Sequence, residues 1–380
     1  MIIEKIEIYR LAIPFHANRD ICTSNLSAQE IYNAANPELK KMESLLVKLT
    51  TNNGLIGWGE SFGHAINPVT FNALETIVGR FFLGKKVPED ITQIRDLIHQ
   101  AKYAFHPFGS GGPVMFALSG VDIALWDLVG KLHHKPLYQL LGGKRTEFDV
   151  YASLVSYGNK IDEHVLRAYH EGFKAIKLHE IDVKDTQKAR SVLPEDFPLM
   201  VDVNCPWSEQ EAIKQAYLLQ SANLTWLEEP IFPPNDVLKL ANLRKIGIPI
   251  AAGENVDGVQ GFEQHFINHA IDIAQPSVAK VGGITAMLDV IDLAKMYSIK
   301  VSPHCFYYGA GLLATAHILS LLDDNIKLEA PYIQWNDLLY PQMEFKPKLT
   351  LADTSGLGFE PNKEVFERYI IQYKKIEYNH

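Results

Sequence analysis

Residues 199–230 read LMVDVNCPWSEQEAIKQAYLLQSANLTWLEEP, and this stretch decides the fold. It joins two short apolar runs, LMVDVN and TWLEEP, through an amphipathic run that opens on Ser208. Apolar runs this short, rich in Val, Leu and Met, are typical of strands buried on both faces. A serine at the start of an amphipathic run is a typical helix cap. The stretch therefore predicts one strand–helix–strand unit of a parallel sheet.

Short apolar runs of the same kind recur from about residue 145 onward, with amphipathic helical patterns between them. Consecutive runs are about 25 residues apart, which is the length of one strand–helix unit. Eight units in series favour a closed barrel over an open doubly wound sheet, so an α/β fold with a modified TIM (β/α) barrel is predicted. The predicted strands are VYASL (150–154), AIKLHE (175–180), LMVDVN (199–204), TWLEEP (225–230), IPIAAGEN (248–255), DIAQPSV (272–278), KVSPHC (300–305) and IKLEAP (326–331).

The regions that flank the barrel show different patterns. Residues 1–125 combine antiparallel-strand patterns, including a turn at NNG (52–54), with two helical patterns, and this predicts an α+β domain. Residues 345–380 are predicted to form loops (FKPKLTLADTSGLGFEP) and a polar helix (EVFERYIIQYKKI) that pack back on that domain and complete it. The barrel is assigned to residues 126–344.

Charge and cysteine usage narrow the functional classes. The 380 residues carry a formal net charge of −9 and no long Lys/Arg run, which argues against nucleic acid or an anionic membrane as a partner. The cysteines Cys22, Cys205 and Cys305 form no CxxC pair, so neither a zinc knuckle nor a disulfide scaffold is indicated. We see no signal-peptide pattern and no apolar run of membrane-spanning length, so a cytoplasmic protein is expected.

Three carboxylates end consecutive predicted strands. Asp202, Glu228 and Glu254 follow one another at intervals of 26 residues. Strand ends in a barrel face a common site, so these side chains are expected to converge. Converging carboxylates repel one another unless a cation lies between them, and an all-oxygen ligand set suits Mg²⁺. The alternative, that each acid caps a helix or pairs with a loop cation, is the better explanation for one acid alone but not for three in register.

Basic side chains end two further strands. Alternation places Lys177 and His179 on the same face of the second strand, and His304 ends the seventh. In isolation these would be interpreted as a surface lysine and satisfied core histidines. Beside a predicted metal site they become candidates for proton transfer and charge neutralisation.

The chain resembles the enolase superfamily, and within it the mandelate racemase/muconate lactonizing group. Residues 117–143 (ALSGVDIALWDLVGKLHHKPLYQLLGG) match the group's signature at the start of the barrel, and WLEEP, AAGEN and QPSVAKVGGIT match its strands four, five and six. The resemblance covers nearly the whole chain and implies a capping domain over the barrel, with Mg²⁺ on Asp202, Glu228 and Glu254. It also implies a shared first step, in which a base removes the proton α to a carboxylate and Mg²⁺ stabilises the resulting enediolate.

This sequence departs from the group's pattern on strands two and six. The group usually carries K-x-K on strand two with the second lysine as base, whereas this chain has Lys177 and His179. We assign Lys177 to neutralise the substrate carboxylate or enediolate and His179 to proton transfer, because a histidine pKa of about 6.5 allows a neutral base near pH 7. Strand six has Ser277 where relatives carry aspartate or lysine, so His304 lacks the usual partner and suits a general acid. The Ser277 hydroxyl remains a candidate to orient the His304 ring by a hydrogen bond.

Further residues are predicted around this site. Glu329 matches a strand-eight glutamate that hydrogen-bonds the substrate carboxylate in racemase-type members, and Asn204 stands where some dehydratases of the superfamily carry a histidine. Glu229 and Lys280 are the remaining candidates near metal or substrate. Specificity in this superfamily lies in capping-domain loops, here residues 16–26, 57–64 and 106–112. The candidates in these loops are His16, His64 and His106.

The leading functional prediction is Mg²⁺-dependent dehydration of a sugar acid to a 2-keto-3-deoxy acid, with His179 as base and His304 as acid. One alternative is a racemase or epimerase that uses both histidines on opposite faces of the α-carbon, and another is a sugar-acid lactone cycloisomerase. A non-catalytic binding barrel is a further alternative, against which the three carboxylates and paired basic residues speak. The expected partner is a small-molecule carboxylate, and the resemblance implies a homo-oligomer.

Overall fold

The computed structural model describes residues 1–17 and 40–379. The N-terminal part is built on an antiparallel sheet of β1 (Ile3–His16), β2 (Lys41–Thr51) and β3 (Ile56–Ser61). The predicted turn joins β2 to β3, and Gly54 within it has a φ of 86°, a conformation that glycine adopts without strain. The α+β prediction for this region is therefore confirmed.

The same region contains several helices, and the longest of them packs on this sheet. They are α1 (Asn67–Ala73), which continues through a π-helical turn (Leu74–Val78) into α2 (Gly79–Phe82), then α3 (Ile91–Phe105) and α4 (Gly112–Leu132). The backbone of α4 approaches β3 so closely that a Cβ on Gly59 would lie 1.9 Å from the Gly120 carbonyl oxygen. Gly59 of β3 and Gly120 of the predicted signature thus permit close packing of helix on sheet.

Helix α4 is the central helix of the molecule and runs through residue 125. By length and composition alone it could cross a membrane, so the premise that no apolar run reaches that length was wrong. However, 78% of its most apolar window is buried inside the fold. Its buried Asp122 accepts a hydrogen bond from the Thr285 amide (3.1 Å), and Asp127 accepts one from the Trp58 amide (2.8 Å). The helix therefore packs as a core element, and the domain division at residue 125 stays a prediction.

Eight parallel strands form the barrel, and all eight were predicted. They are β4 (Glu147–Ser153), β5 (Ile176–Leu178), β6 (Leu199–Asp202), β7 (Trp226–Glu228), β8 (Ile250–Ala252), β9 (Ile273–Ala274), β10 (Lys300–Val301) and β11 (Leu328–Pro331). Their order in the sheet is β10-β9-β8-β7-β6-β5-β4-β11, so the eighth strand pairs with the first. Within the described ranges no strand pairing joins β10 to β11.

Helices alternate with these strands. They are α5 (Leu137–Leu140), α6 (Ile161–His170), α7 (Val183–Ser191), α8 (Glu209–Leu219), α9 (Val237–Arg244), α10 (Gly258–Ile267), α11 (Gly283–Met296) and α12 (Ala310–Leu319). Asp182, Ser208 and Asp236 cap the N-termini of α7, α8 and α9 by accepting backbone N–H bonds. Inside the barrel, Tyr151, Met200, Trp226, Ala251 and Ile273 belong to one buried layer. This packed layer leaves the carboxyl ends of the strands to form the site.

The C-terminal stretch differs from the prediction. It contains β12 (Gln334–Trp335), β13 (Lys348–Thr350), α13 (Lys363–Tyr369) and β14 (Ile370–Glu377). The predicted polar helix ends at Tyr369, and residues 370–377 pair antiparallel with β1. The predicted loop at residues 345–361 contains β13, which pairs with β4. In both places the backbone hydrogen bonds of an otherwise free strand edge outweigh local helix or loop propensity. Residues 370–377 thus pair with the N-terminal sheet and residues 348–350 with the barrel, and completion of the N-terminal domain by residues 345–380 stays a prediction.

Candidate active site

The carboxylate cluster lies at the carboxyl ends of the strands. The strand register there differs from the one that the sequence spacing predicted. Asp202 of β6 is the Cα partner of Glu228 of β7, whereas Glu228 pairs with Ala251 of β8. Glu254 therefore lies beyond the end of β8, after Gly253, whose φ is 150°. The expectation of three equivalent strand positions holds for two residues and is wrong for the third. Glu254 reaches the cluster from the loop that follows its strand.

Lys177 is the central cation of this cluster. It is fully buried, and its Nζ lies 2.7 Å from Oε1 of Glu329, 2.8 Å from Oε1 of Glu228 and 3.6 Å from Oδ2 of Asp202. Burial alone lowers the pKa of Lys177, but Glu228 and Glu329 outweigh it, and the pKa lies well above its ordinary value. Lys177 is therefore an ammonium ion at neutral pH, a fixed positive charge rather than a proton acceptor.

Glu329 is fixed by two hydrogen bonds in addition to its contact with Lys177. Its Oε1 also accepts from Ser153 Oγ (2.8 Å), and its Oε2 accepts from the Cys305 amide (2.8 Å). Burial raises the pKa of Glu329, but the interactions with Lys177 and His304 lower it by more, so that the pKa falls to about 2. The carboxylate thus anchors Lys177 and the start of the loop after β10. That Glu329 also binds substrate stays a prediction.

His179 faces the cluster from β5's carboxyl end. The ring is buried, Nδ1 contacts the Leu154 carbonyl oxygen, and Nε2 lies 3.3 Å from Oδ2 of Asp202. A carbonyl oxygen can only accept a hydrogen bond, so Nδ1 carries the proton. In the neutral ring the lone pair therefore belongs to Nε2, the atom that faces the cluster.

His304 faces the cluster from the end of β10. Its Nε2 lies 2.9 Å from Oε2 of Glu254, and its buried Nδ1 has no hydrogen-bond partner among the described residues. The Ser277 hydroxyl is bonded to the Tyr307 hydroxyl instead, although the backbones of Ser277 and His304 form a parallel bridge. The structure thus gives Ser277 no contact with the imidazole that it was considered to orient.

Glu254 and Lys280 occupy the far side of the cluster. Burial raises the pKa of Glu254, but His304 and Lys280 lower it more, so the pKa lies well below the ordinary value. Lys280 Nζ lies 3.2 Å from Oδ1 of Asn255 and 4.3 Å from the centre of the Phe62 ring of the N-terminal domain. Lys280 is thus near Glu254 and also at the boundary between the two domains.

Glu229 links the loops that carry the cluster. Its Oε1 accepts from the Gly253 amide (3.1 Å) and its Oε2 from the Cys205 thiol (3.1 Å). Burial, with Glu254 next to it, raises the pKa of Glu229 to about 7. Glu229, Asn204 and Cys205 all have φ between 46° and 58°, an uncommon conformation for non-glycine residues. Asn204 is exposed, and its backbone N–H donates a hydrogen bond to Oδ1 of Asp202 (2.9 Å).

Among the three predicted loop histidines, only His64 reaches the site. Its Nε2 lies 3.2 Å from the Phe306 carbonyl oxygen, and burial lowers the pKa of His64 to about 4, so a neutral ring donates this bond. His16 is exposed and pairs with Gln334 at the end of β1. His106 is exposed and contacts the Tyr103 carbonyl next to its own helix. Residues 18–26 of the first predicted loop lie outside the described residues.

The donor set fits a divalent cation. Five acidic side chains meet two lysine side chains here, so potential negative charges outnumber positive ones; the acids are Asp202, Glu228, Glu229, Glu254 and Glu329, and the bases are Lys177 and Lys280. Burial raises the pKa of Glu228, and although Lys177 lowers it, Asp202 and Glu329 raise it further, a sign of unbalanced negative charge. With the side chains as they stand, no three acidic, imidazole or thiol groups in residues 1–17 and 40–379 share a metal-binding point. Lys177 and His304 contact oxygens that a metal would use.

Sequence reasoning missed several residues of the site. Gln275 Nε2 and Trp226 Nε1 both donate to Oε2 of Glu228, at 2.7 and 3.0 Å. The Phe306 ring centre lies 5.9 Å from that of His179. The signal for Gln275 and Trp226 was present, since both belong to the strand motifs QPSVAKVGGIT and WLEEP. Phe306 lies in a loop, where no periodicity indicates which way a side chain points.

A modified TIM barrel, an α+β N-terminal domain, and a strand-end cluster of carboxylates, a lysine and two histidines together define the enolase-superfamily architecture. Comparison with family models agrees. Residues 27–142 match the mandelate racemase/muconate lactonizing enzyme N-terminal domain, and residues 160–365 match the enolase C-terminal domain-like family. The chain belongs to this family.

Individual relatives share this architecture and differ in reaction. The arabinonate dehydratase of Saccharolobus solfataricus is 30% identical over 346 residues, covering 86% of this chain and 91% of the relative. The 3,6-anhydro-alpha-L-galactonate cycloisomerase of Streptomyces coelicolor is 30% identical over 301 residues, covering 76% and 80%. A solved racemase from Streptomyces coelicolor A3(2) with bound magnesium superposes with a TM-score of 0.80 at 25% identity, covering 97% of this chain and 100% of that one. The relatives therefore include lyases and isomerases.

Proposed function

We propose that this chain is a Mg²⁺-dependent sugar-acid dehydratase that removes the proton α to a carboxylate and eliminates the β-hydroxyl as water. One observation carries the proposal. His179 and His304 come from β5 and from the end of β10, and each directs Nε2 at a carboxylate of the same cluster, at 3.3 and 2.9 Å. A substrate held at this cluster would have one imidazole on each side. The S. solfataricus dehydratase supports the same reaction class.

His179 is assigned as the base. Its Nδ1–H is bonded to the Leu154 carbonyl, which fixes the ring orientation and the tautomer that has its lone pair on Nε2. This atom takes the α-proton, and the electron pair of the broken C–H bond moves toward the substrate carboxylate. General-base catalysis by a positioned histidine contributes about 10²–10⁴-fold to such a step.

His304 is assigned as the acid. Its Nε2 lies 2.9 Å from Oε2 of Glu254, and its buried Nδ1 has no hydrogen-bond partner among the described residues. In the proposed step the protonated ring gives its Nε2 proton to the departing hydroxyl. The C–O bond breaks as the Cα–Cβ double bond forms, water leaves, and the enol tautomerises to a 2-keto-3-deoxy acid.

Asp202, Glu228 and Glu254 are the residues that would hold Mg²⁺, because they supply the hard oxygen ligands that this ion prefers. When bound, the ion offsets the negative charge that proton removal places on the substrate carboxylate. Lys177 provides a second, fixed positive charge in the same buried region. Both effects are strong because the cluster is shielded from water.

¹H NMR in D₂O tests the proposal with Mg²⁺, a panel of open-chain sugar acids and the corresponding lactones. The expected result is loss of the α-proton signal and appearance of a 2-keto-3-deoxy product from at least one open acid. Deuterium exchange at the α-carbon without water loss would instead select a racemase or epimerase. Neither exchange nor elimination across the panel would refute α-proton chemistry for this site.

A sugar-acid lactone cycloisomerase is the second candidate. The S. coelicolor cycloisomerase is as similar in identity as the dehydratase, and expulsion of a β-oxygen after α-proton removal requires the same two groups. Turnover of lactones but not of open acids would select it. A small-molecule carboxylate substrate, a homo-oligomeric state and a cytoplasmic location complete the proposal. The substrate and the oligomeric state rest on the family resemblance, and the negative net charge speaks only against nucleic acid or an anionic membrane as a partner.

A further inference from the structure

The segment after His304, residues 305–311, consists of a loop and the first two residues of α12, and buried carboxylates from different domains hold both of its ends. At its start the Cys305 amide donates to Oε2 of Glu329 in the barrel (2.8 Å). At its end the Gly311 amide donates to Oε2 of Glu60 in β3 of the N-terminal domain (2.8 Å). We call this segment the His304 loop. Its geometry is therefore determined partly by a domain that contributes none of the proposed metal ligands.

Glu60 is tightly packed against the end of the His304 loop. Its side chain is 2% exposed, and its Oε1 accepts from Ser44 Oγ of β2. A Cβ on Gly309 would lie 2.7 Å from Oε2 of Glu60, and a Cβ on Gly311 would lie 3.0 Å from the same atom. Two glycines thus leave the space that the carboxylate occupies at the start of α12. Both oxygens of Glu60 are used, one in each domain.

The N-terminal domain makes further contacts with the His304 loop. His64 donates to the Phe306 carbonyl (3.2 Å), and the Tyr308 hydroxyl donates to the Met42 carbonyl of β2 (3.3 Å). Between these points the Phe306 ring lies 5.9 Å from His179 and so forms part of the site. Because residue 305 follows His304 directly, displacement of the His304 loop would also displace His304.

We propose that Glu60 is a positioning residue that holds the His304 loop from across the domain boundary and thereby places His304 for the acid half of the reaction. The inference rests on the proposed function and extends it to a residue outside the barrel. His179 directly follows β5, whose hydrogen bonds to β4 and β6 do not involve the loop, and its Nδ1 is bonded to the Leu154 carbonyl. Loosening the loop should therefore impair protonation of the leaving group more than removal of the α-proton.

The test measures two rates on one substrate, namely α-proton exchange and formation of the 2-keto-3-deoxy product, in D₂O with Mg²⁺. In Glu60→Ala we expect product formation to fall at least about tenfold relative to exchange, since misplacement of a catalytic group by about 1 Å costs up to about 10²-fold. Glu60→Gln keeps one oxygen for the Gly311 amide and should recover part of this loss. Equal loss of both rates in Glu60→Ala would overturn the proposal, because it would indicate a smaller folded fraction.

Two further variants separate positioning from general destabilisation. Gly311→Ala retains Glu60 but adds a Cβ 3.0 Å from its Oε2, and it should shift the two rates in the same direction as Glu60→Ala. Asp122→Asn changes another fully buried carboxylate, bonded to Thr285 of α11 and not to the loop, and should leave the ratio of the rates unchanged. A changed ratio in Asp122→Asn, or an unchanged one in Gly311→Ala, would overturn the inference. Absence of exchange in the unmodified protein would instead refute the proposed function.

Discussion

Nε2 of His179 lies 3.3 Å from Oδ2 of Asp202, while Nδ1 of the same ring is bonded to the Leu154 carbonyl. The second contact makes His179→Asn a clean test of the base, because an asparagine amide can replace Nδ1–H but has nothing at the position of Nε2. We expect α-proton exchange and turnover both to fall at least about 10²-fold. ¹H NMR in D₂O measures both. The control is His106→Asn on the exposed loop, and exchange surviving in His179→Asn would assign the base elsewhere.

His304→Asn should separate the two halves of the reaction. The substitution removes Nε2, which faces Glu254 at 2.9 Å, and leaves the His179 side of the cluster unchanged. Product formation should be lost, whereas deuterium should still enter the α-position at a measurable rate. If both activities disappear together in this variant and in His179→Asn, the histidines act as the two-base pair of a racemase.

Magnesium should stabilise the protein through the carboxylates. A ligand that binds only the folded state adds about 2.7 kcal/mol at a concentration of 100 Kd, so Tm should rise with Mg²⁺ concentration. Glu254→Gln should remove most of this shift, because it deletes one of the charged oxygens proposed to hold the ion. Differential scanning fluorimetry measures the effect, with the exposed Glu147→Gln as control. A Tm that does not respond to Mg²⁺ in the unmodified protein contradicts the metal assignment.

The sequence was sufficient for parts of the site whose partners lie one strand away. The 26-residue spacing predicted Asp202 next to Glu228, and these residues are paired in the register of β6 and β7. The same spacing misplaced Glu254, since β8 ends at Ala252 and Gly253 turns the chain before Glu254. Spacing reports strand register only while the chain remains in the strand.

Contacts that depend on distant segments were not predictable from local pattern. Ser277 was a candidate to orient His304, but its hydroxyl is hydrogen-bonded to the Tyr307 hydroxyl instead. Tyr307 reaches this position from a loop. Residues 370–377 form a strand since β1, more than 350 positions earlier, offers a free edge. Glu60 is a similar case. Its role depends on Gly311 in another domain, and no motif links the two.

Removal of the Lys177 charge should destabilise the protein. Lys177 is fully buried between Glu228, Glu329 and Asp202, and removal of one partner of a buried charge pair typically costs about 3–5 kcal/mol. Lys177→Met keeps most of the side-chain volume and leaves three carboxylates facing one another. Urea unfolding without Mg²⁺ should show this loss, and Mg²⁺ should recover part of it by supplying positive charge. Lys280→Met, at a half-buried lysine, should cost less.

The buried carboxyl group of Glu60 should make the free energy of unfolding depend on pH. Comparison with Glu60→Gln isolates this contribution. Burial raises the pKa of Glu60 from 4.5 to about 7, against the lowering effect of hydrogen bonds from Ser44, Gly311 and Gly309. Cys305, Tyr307, Tyr308 and Tyr340 also interact with it, and none of these named groups is a cation. Ionisation of Glu60 therefore opposes folding.

Between pH 4.5 and 7 the folded state binds the Glu60 proton and the unfolded state has lost it, so the free energy of unfolding falls as pH rises. The raised pKa corresponds to about 3 kcal/mol across this window. Glu60→Gln is uncharged at every pH, so its stability relative to the unmodified protein should increase by about that amount from pH 4.5 to 7 and then level off. Urea unfolding at a series of pH values measures the difference, and other titrating groups cancel in it. A stability difference that is independent of pH would show that folding does not raise the pKa of Glu60.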